Sequence, residues 1–338
     1  MAEYSDGVVA ADGKIYCVPD TASTVRCFDP ETRESSTFGE VGSGSHKWAG
    51  GVFAGDGRIY CVPWSHHQVL CIDPGRHEVS FIDTTIQGGI AASIAEHKWR
   101  GGIRAADGRI FCVPWNAEAV LVIDPAAGSA TCFGELSEGE SKWSGALQAS
   151  NGKIYCVPYD AGAVLVIDPV ALSISLLGNL GEGRRKWRGG VLAGDGKIYC
   201  VPYNALEVLV IDPEVDAVET FAMVGGIRSK WRGGVLAADG NIYCIPDCAG
   251  SVLCISPKGR GAATFGEVGE AKWKWRGGVV AADEKIYCAP YDYYERVLCI
   301  DTSRRAVSFC PTIDKGECSK LPGILTSKDG QVHCVPLT

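Results

Sequence analysis

The segment KWRGGVLAGDGKIYCVPYNALEVLVIDPEVDAVETFAMVGG, residues 186–226, contains four short apolar runs separated by turn-forming residues. The Asp195-Gly196 pair separates the first two runs and favours the positive φ of a tight hairpin turn. Pro202 lacks a backbone donor and ends the second run, and a turn at Asp212-Pro213 follows the third. The segment therefore predicts four antiparallel β-strands, at residues 190–193, 197–201, 207–211 and 217–221.

This segment is one copy of a motif that recurs along all 338 residues of the chain. The most constant part is Ile/Val-Tyr/Phe/His-Cys-Val/Ile/Ala-Pro, whose cysteines are spaced by 44, 51, 44, 44, 44, 44 and 46 residues. The long spacing reflects an insertion near residues 84–96, where we expect a surface loop. The copies begin near residues 4, 48, 99, 143, 187, 231, 275 and 321, and the last copy is incomplete.

Four antiparallel strands in a repeat of this length are typical of a β-propeller blade. We therefore expect an all-β chain in which residues 1–338 form a single propeller domain. Eight copies of the first strand pair and seven copies of the second pair predict thirty strands. This count favours eight blades with a short last blade, and the alternative is a seven-bladed ring with an extra terminal strand pair.

The pattern G-V-x-A-x-D-G-x-I-Y followed by V-L-V-I-D-P resembles the blades of surface-layer, NHL and quinoprotein-type propellers, which have seven or eight blades. The resemblance covers the whole chain. The glycine-rich link into a Trp is also similar to that of tachylectin propellers, which bind sugars between blades. The uniform Cys of the second strand and the Lys-Trp-Arg-Gly-Gly opening depart from these families, so the resemblance implies an architecture and no characterised activity.

The composition argues against several classes of partner. The formal net charge is −8 and no basic run occurs, so we expect neither nucleic acid nor an anionic membrane as a partner. Residues 1–7 lack the basic and apolar segments of a signal peptide, and no apolar run is long enough to span a membrane. We therefore expect the chain to be cytoplasmic or to lie in an organelle lumen.

The sixteen cysteines are interpreted as small buried apolar residues. Pairs such as Cys17 and Cys27 lie on neighbouring strands, but other copies carry Val at the second position, as at Val122. The six histidines are interpreted as out of register and no Cys-x-x-Cys occurs, so no metal site is predicted. Cys248, Cys310 and Cys318 fall outside the repeat pattern and are not assigned a role.

Nearly all polar residues occur in several copies, whereas catalysis needs a unique group in a unique environment. The aspartates of Asp-Gly and of Ile-Asp-Pro are interpreted as turn residues whose carboxylates accept backbone N–H groups. A metal-dependent hydrolase would need non-repeating acidic residues to converge on the axis, and we expect none. The sequence predicts no catalytic residue and no cofactor.

The clearest functional signal is Lys-Trp-Arg-Gly-Gly, at residues 98–102, 186–190, 230–234 and 274–278. It enters the innermost strand on the face that also carries the loop between the second and third strands. This face is predicted to offer cations and aromatic rings for stacking, cation–π contact and bidentate hydrogen bonds. The predicted ligand-binding residues are Trp99, Arg100, Trp187, Arg188, Trp231, Arg232, Trp275 and Arg276 of the motif, and Trp115, Asn116, Tyr159, Tyr203, Asn204 and Tyr291 of the loops.

A structural interpretation of the same residues stays open. Repeated Trp residues wedge between propeller blades, and the arginines could pair with acidic neighbours in a structural ring. Ala49, Ser144 and Pro322 replace the Arg in other copies. The ring of charge is therefore predicted to be asymmetric, as expected of a site.

Three functions are compatible with these residues. The first is a non-enzymatic binding or scaffold propeller that recognises a protein partner through this face, and that offers an open strand edge at residues 331–336. The second is a multivalent carbohydrate-binding propeller with sites between successive blades. The third is a lactonase- or quinoprotein-like enzyme.

Overall fold

The computed structural model of the chain describes residues 3–86, 96–291, 296–311, 324–326 and 332–334. These residues form thirty β-strands and no helix, so the described part of the chain contains no helix that could cross a membrane. The strand boundaries lie close to those predicted from the turn-forming residues. In the quoted segment, the first strand covers Trp187–Leu192 and thus begins three residues earlier than predicted.

The strands are numbered in chain order. The first two repeats contain β1 (Tyr4–Val9), β2 (Ile15–Pro19), β3 (Thr24–Phe28), β4 (Ser35–Glu40), β5 (Trp48–Phe53), β6 (Ile59–Pro63), β7 (Gln68–Asp73) and β8 (Glu78–Ile86). The next two contain β9 (Trp99–Arg104), β10 (Ile110–Pro114), β11 (Val120–Asp124), β12 (Ser129–Phe133), β13 (Trp143–Gln148), β14 (Ile154–Pro158), β15 (Val164–Asp168) and β16 (Ser173–Leu177).

The fifth and sixth repeats contain β17 (Trp187–Leu192), β18 (Ile198–Pro202), β19 (Glu207–Asp212), β20 (Ala217–Met223), β21 (Trp231–Leu236), β22 (Ile242–Pro246), β23 (Ser251–Ser256) and β24 (Gly261–Glu267). The last strands are β25 (Trp275–Val280), β26 (Ile286–Pro290), β27 (Arg296–Asp301), β28 (Ala306–Pro311), β29 (Ile324–Thr326) and β30 (Val332–Cys334).

The chain folds as a β-propeller of four-stranded antiparallel blades. Five blades are separate sheets in which the four strands follow one another in chain order. The first strands of successive repeats pack side by side, from β1 to β25, and therefore line the propeller axis. The strands β29 and β30 form a separate two-stranded sheet.

The second and third repeats join into one eight-stranded sheet, which departs from the predicted set of separate blades. The outer strand β8 pairs in parallel with the outer strand β12, with Thr84 opposite Ala130. The start of the insertion, predicted as a surface loop, thus continues a strand instead. An outermost strand has a free edge of N–H and C=O groups, and the extra length lets it use that edge.

The apolar core lies between successive blades. Tyr199 of β18 packs with Trp231 and Cys244 of the following blade. Cys200, the next residue on β18, points to the other face and packs with Tyr155 of the preceding blade. Both faces of this strand are therefore buried, which explains its continuous apolar sequence.

The fourteen cysteines whose side chains the structure describes are free, and strand register explains why at the candidate pairs. Tyr16 pairs with Cys27, whereas Cys17 pairs with Arg26, so the Cys17 and Cys27 side chains point to opposite faces of the blade. The same register holds at the other three candidate pairs: Cys61/Cys71, Cys244/Cys254 and Cys288/Cys299. The packing interpretation is confirmed for these residues.

The predicted turn chemistry is also confirmed. The Asp56 carboxylate accepts the Arg58 N–H at 3.1 Å and the Tyr60 hydroxyl at 2.8 Å, which ties the first turn of the blade to its second strand. The Asp168 carboxylate accepts the N–H groups of Val170 and Ala171 in the turn after the third strand. Residues of the last repeat that carried predictions lie outside the described residues: Cys318, Leu321, Pro322, Gln331 and Pro336.

We expect Gly50→Ala to destabilise the ring more than Gly57→Ala. Both glycines have positive φ, +91° and +85°, so both substitutions strain the backbone. A Cβ on Gly50 would lie 2.9 Å from the Gly101 Cα atom, whereas a Cβ on Gly57 meets no atom within 4 Å. The difference in unfolding free energy should be about 1–3 kcal/mol, measured by urea unfolding. Equal losses for the two variants would contradict close packing at the axis.

Candidate functional site

A β-bulge in the first strand of the blade turns its arginine toward the propeller axis. Trp187 lies opposite Pro202 and Gly190 lies opposite Cys200, so two residues, Arg188 and Gly189, oppose the single residue between Cys200 and Pro202. Gly189 takes a φ of +78°, which is the left-handed conformation that such a bulge requires. The bulge breaks the ladder at this point, and Arg188 lines the central cavity.

The cavity at the mouth of the channel has a volume of about 850 Å³. Four guanidinium groups enter it from four blades, and the remaining walls carry acidic, imidazole and aromatic side chains. The side chains that line it include Arg100, Arg188, Arg232, Arg276, Asp6, Asp20, His46, His97, Trp64, Ser144 and Tyr291. The structure thus brings together the four predicted arginines and one predicted aromatic residue, Tyr291.

Aromatic rings hold the arginines in place. The Arg100 guanidinium carbon lies 4.8 Å from the centre of the Trp115 ring and 5.7 Å from that of Trp64. Arg188 lies in the same way over Tyr203, at 5.2 Å, and over Tyr159, at 5.6 Å. Cation–π contacts of this kind contribute about 0.5–2 kcal/mol each.

Tyr291 makes cation–π contacts with two arginines: the guanidinium carbons of Arg276 and Arg232 lie 5.3 and 5.5 Å from its ring centre. The rings under Arg100 and Arg188 form a continuous arc, in which Trp115 lies 5.2 Å from Tyr159 and Tyr159 lies 6.0 Å from Tyr203. These three aromatic residues are buried and do not line the cavity. They contact Arg100 and Arg188 through cation–π interactions.

The four guanidinium groups have no ionic partner in the described part of the chain. None of them lies within 4.0 Å of a described carboxylate, and none donates a hydrogen bond to a described residue. The described residues therefore form no direct ion pair with these arginines, although Asp247 attracts Arg232, and Asp6 and Asp247 attract Arg276, over a longer distance. The N–H edges of the guanidinium groups remain free to bind a ligand.

The electrostatic environment disfavours the charge of these arginines. Burial, together with the nearby Arg188 and Arg276 guanidinium groups, lowers the pKa of Arg100 to about 9. Burial and the other three arginines hold the pKa of Arg232 well below its usual value. An anion in the cavity would reverse this effect, because an opposite charge favours the protonated form.

Acidic residues that depart from the repeat occur at the cavity, although the sequence predicted none near the axis: Asp6 and Asp20 line it, and Asp247 is buried outside its lining. Asp6 takes the place of the positive-φ glycine of the other blades, and Asp20 and Asp247 replace the aromatic residue that follows the Pro. Burial raises the pKa of Asp247, against the attraction of Arg232 and Arg188. Burial also raises the pKa of Asp6, against a Gly7 N–H bond and Arg276. The signal in the sequence is the break in the repeat at these positions.

Two histidines share a register that the sequence interpretation missed, because His46 and His97 each precede a Lys-Trp pair. The His46 Nδ1 atom lies 3.5 Å from the Asp20 carboxylate, and the His46 and His97 rings meet edge to face at 5.3 Å. Burial, with His46 nearby, lowers the pKa of His97. In the described part of the chain, no three His, Cys, Asp or Glu side chains are arranged for a metal ion.

The lysines of the motif lie inside the propeller, although they were predicted on the binding face. Lys230 is 1 % exposed, and its ammonium group donates to the carbonyls of Ala205, at 2.7 Å, and Ile227, at 3.3 Å. Burial lowers the pKa of Lys230 and of Lys142 to about 8. The lysines thus link each blade to the loop of the preceding blade.

The tryptophans of the motif are also structural in their contacts. Trp99 is 1 % exposed, and its indole N–H donates to the Ala119 carbonyl at 2.8 Å. The other three predicted indoles are buried and bonded to a backbone carbonyl in the same way: Trp187, Trp231 and Trp275. These four residues therefore lie outside the candidate site.

The two predicted asparagines accept hydrogen bonds from backbone N–H groups. The Ser141 N–H donates to Asn116 at 2.9 Å, and the Ser229 N–H donates to Asn204 at 2.8 Å. Ser141 and Ser229 have φ of 55° and 56°, so each asparagine holds a strained turn at the entry to a first strand. Asn116 and Asn204 do not line the cavity.

The fold defines this chain as a β-propeller with repeated four-stranded blades, and solved structures of the same architecture match it. Streptogramin B lyase is 13 % identical, with a TM-score of 0.65 over 86 % of this chain and 90 % of that chain. A catalytically inactive virginiamycin B lyase from Staphylococcus aureus, solved with quinupristin, is 12 % identical, with a TM-score of 0.64 over 86 % of this chain and 95 % of that one.

The extracellular domain of a protein described as a hybrid two component system from B. thetaiotaomicron is 10 % identical. Its TM-score is 0.60, over 98 % of this chain and 51 % of that chain. Identities this low show the fold alone. No family model and no curated protein matches the chain.

We expect the motif lysines to resist chemical labelling in the folded protein. Under brief treatment with an acetylating reagent, Lys258 and Lys272 should react at once because they are exposed. The six buried lysines should react at least about tenfold more slowly, since they become accessible only when the blades open: Lys47, Lys98, Lys142, Lys186, Lys230 and Lys274. Peptide mass spectrometry measures the modified fraction, and labelling in urea provides the control. Equal rates for both sets would place the motif lysines on the surface.

Proposed function

We propose that this protein is a non-enzymatic binding propeller that holds an anionic ligand in the cavity at its axis. One observation carries the proposal: four guanidinium groups from four blades enter one cavity without a carboxylate partner among the described residues. Repulsion between partly buried like charges disfavours the folded state, and an anion relieves it. Positions of high functional value are often retained at such a cost in stability.

The cavity does not test the predicted classes of partner, but it restricts the chemistry that such a partner would need. A protein partner stays a prediction, and the cavity adds the requirement that the partner presents an acidic group there. The carbohydrate hypothesis placed the Trp and Arg of one repeat beside the Tyr and Asn of the neighbouring loop. The Trp99 indole N–H and the Asn116 amide oxygen already bind the backbone. The cytoplasmic location also stays a prediction.

Catalysis has one favourable feature, the His46–Asp20 pair on the cavity wall, which is the arrangement of a general base with an orienting carboxylate. The hydroxyls of Ser5 and Ser144 also line the cavity, but neither is hydrogen-bonded to His46, and no metal cluster occurs among the described residues. We therefore favour binding over the lactonase- or quinoprotein-like enzyme.

We expect Arg100→Met to stabilise the protein in the absence of a multivalent anion. The change removes one of the four like charges, and a Met thioether over the Trp115 ring offsets part of the two cation–π contacts that are lost. The unfolding free energy should rise by about 0.5–2 kcal/mol, measured by urea unfolding in a chloride buffer.

Arg228→Met is the matched control, because Arg228 is exposed and has no described ionic partner. This variant should change the unfolding free energy by less than about 0.5 kcal/mol. If Arg100→Met destabilises the protein clearly more than the control does, the arginine is structural and the proposal fails.

We further propose that β29 and β30 form the inner half of an eighth blade. Ile324 pairs with Cys334 in the register in which Gly278 pairs with Cys288, and β29 packs beside β25 as β25 packs beside β21. β30 pairs with β29 alone among the described strands, which would leave an edge for strand addition by a partner.

Removal of residues 320–338 should lower the urea midpoint of the protein. The first strand of the eighth blade would no longer cover the side of β25, so apolar surface would become exposed to water. The measurement is an unfolding curve of the shortened chain beside that of the full chain. An unchanged midpoint would favour a seven-bladed ring with an accessory terminal pair.

A further inference from the structure

The direction from which the arginines enter the cavity restricts the anion that they can bind. We propose that the ligand is a compact small molecule with at least two phosphoryl groups, an inference that rests on the proposed anion-binding function. The cavity volume of about 850 Å³ lies within the usual range of small-molecule sites, roughly 300–1,000 Å³. Inorganic oligophosphates and small organic polyphosphates share this chemistry.

The first argument is geometric. An aromatic ring lies against a face of each guanidinium group, at 4.8 Å for Arg100 and 5.2 Å for Arg188. The guanidinium N–H groups donate to no described residue, and the four side chains reach the cavity from separate blades. A carboxylate is planar and its two oxygens match one guanidinium fork. A phosphoryl group directs three oxygens to different sides and can accept from several forks at once.

The second argument concerns charge. Two carboxylates, Asp6 and Asp20, line the cavity together with four guanidinium groups, so positive charge is in excess there. The main electrostatic influences on Arg100 come from two arginines and two tyrosines, with no carboxylate among them. A ligand with two or more negative charges neutralises this excess better than one carboxylate does.

The third argument concerns the opposite wall. The acidic side chains Asp6 and Asp20 belong to the first blade, whereas Arg188, Arg232 and Arg276 belong to the fifth, sixth and seventh blades. The first blade therefore supplies carboxylate acceptors to the cavity, whereas these three arginines and Arg100 of the third blade supply donors. This polarity orients a ligand so that the phosphoryl groups face the arginines and any hydroxyl groups face the aspartates.

The test is a calorimetric titration at constant ionic strength with tripolyphosphate and with citrate as probes. We expect tripolyphosphate to bind at least about tenfold more tightly than citrate, and Arg100→Met or Arg188→Met to weaken it by about tenfold or more, the loss of one charge-assisted bidentate contact. Arg228→Met, which removes an exposed arginine, should change the affinity by less than about twofold. Arg100→Lys keeps the charge without the fork, so it should fall between the wild type and Arg100→Met.

The outcomes separate the two proposals. Equal or tighter binding of citrate would overturn the phosphoryl ligand and leave the anion-binding function intact. If neither probe binds to the folded full-length chain, both proposals fail. If tripolyphosphate binds equally to the wild type, Arg100→Met and Arg100→Lys, the phosphate site lies elsewhere and this inference is wrong. Since Arg100→Lys retains size and charge, it tests the site even if the Met variant folds poorly.

Discussion

The arrangement of the blades depends on the close approach of their inner strands at the axis, where several blades carry a glycine. A Cβ on Gly145 would lie 3.3 Å from the Gly189 Cα atom, and one on Gly189 would lie 3.3 Å from the Gly233 Cα atom. These glycines also adopt positive φ, so they create the bulge that interrupts the ladder of each first strand. The same backbone feature lets neighbouring inner strands approach and places the preceding residue, an arginine in four blades, at the cavity.

The three side chains of the Lys-Trp-Arg motif point in different directions, so Lys and Trp are structural and Arg belongs to the candidate site. The Lys ammonium and the Trp indole each bind backbone carbonyls and hold the blades together, as at Lys142 and Trp143. The Arg points into the cavity and binds no described carboxylate. The residues that repeat most faithfully are therefore structural, whereas the position that varies, from Arg to Ala49 or Ser144, forms the candidate site.

Departures from the repeat give the cavity its polarity. Asp6 is possible at a glycine position because the first blade has a different bulge, in which Tyr4 lies opposite Pro19 and Asp6 lies opposite Val18. Asp20 and Asp247 interrupt the arc of aromatic residues. Asymmetry in a ring of nearly identical blades thus arises from single substitutions, and each of them is visible in the sequence once the copies are aligned.

The sequence by itself determined the repeat, the four strands of each blade, the turn chemistry and the free state of the described cysteines. These features depend on local propensity and on the alternation of residues between faces, which operate within a few residues of one another. Only the tertiary structure decided that β8 joins two blades, that the motif lysines are buried, and that Asp6, Asp20 and the arginines share one cavity. These features depend on contacts between blades, and neither the bulge that turns an arginine inward nor the carbonyls that receive a lysine can be read from a single repeat.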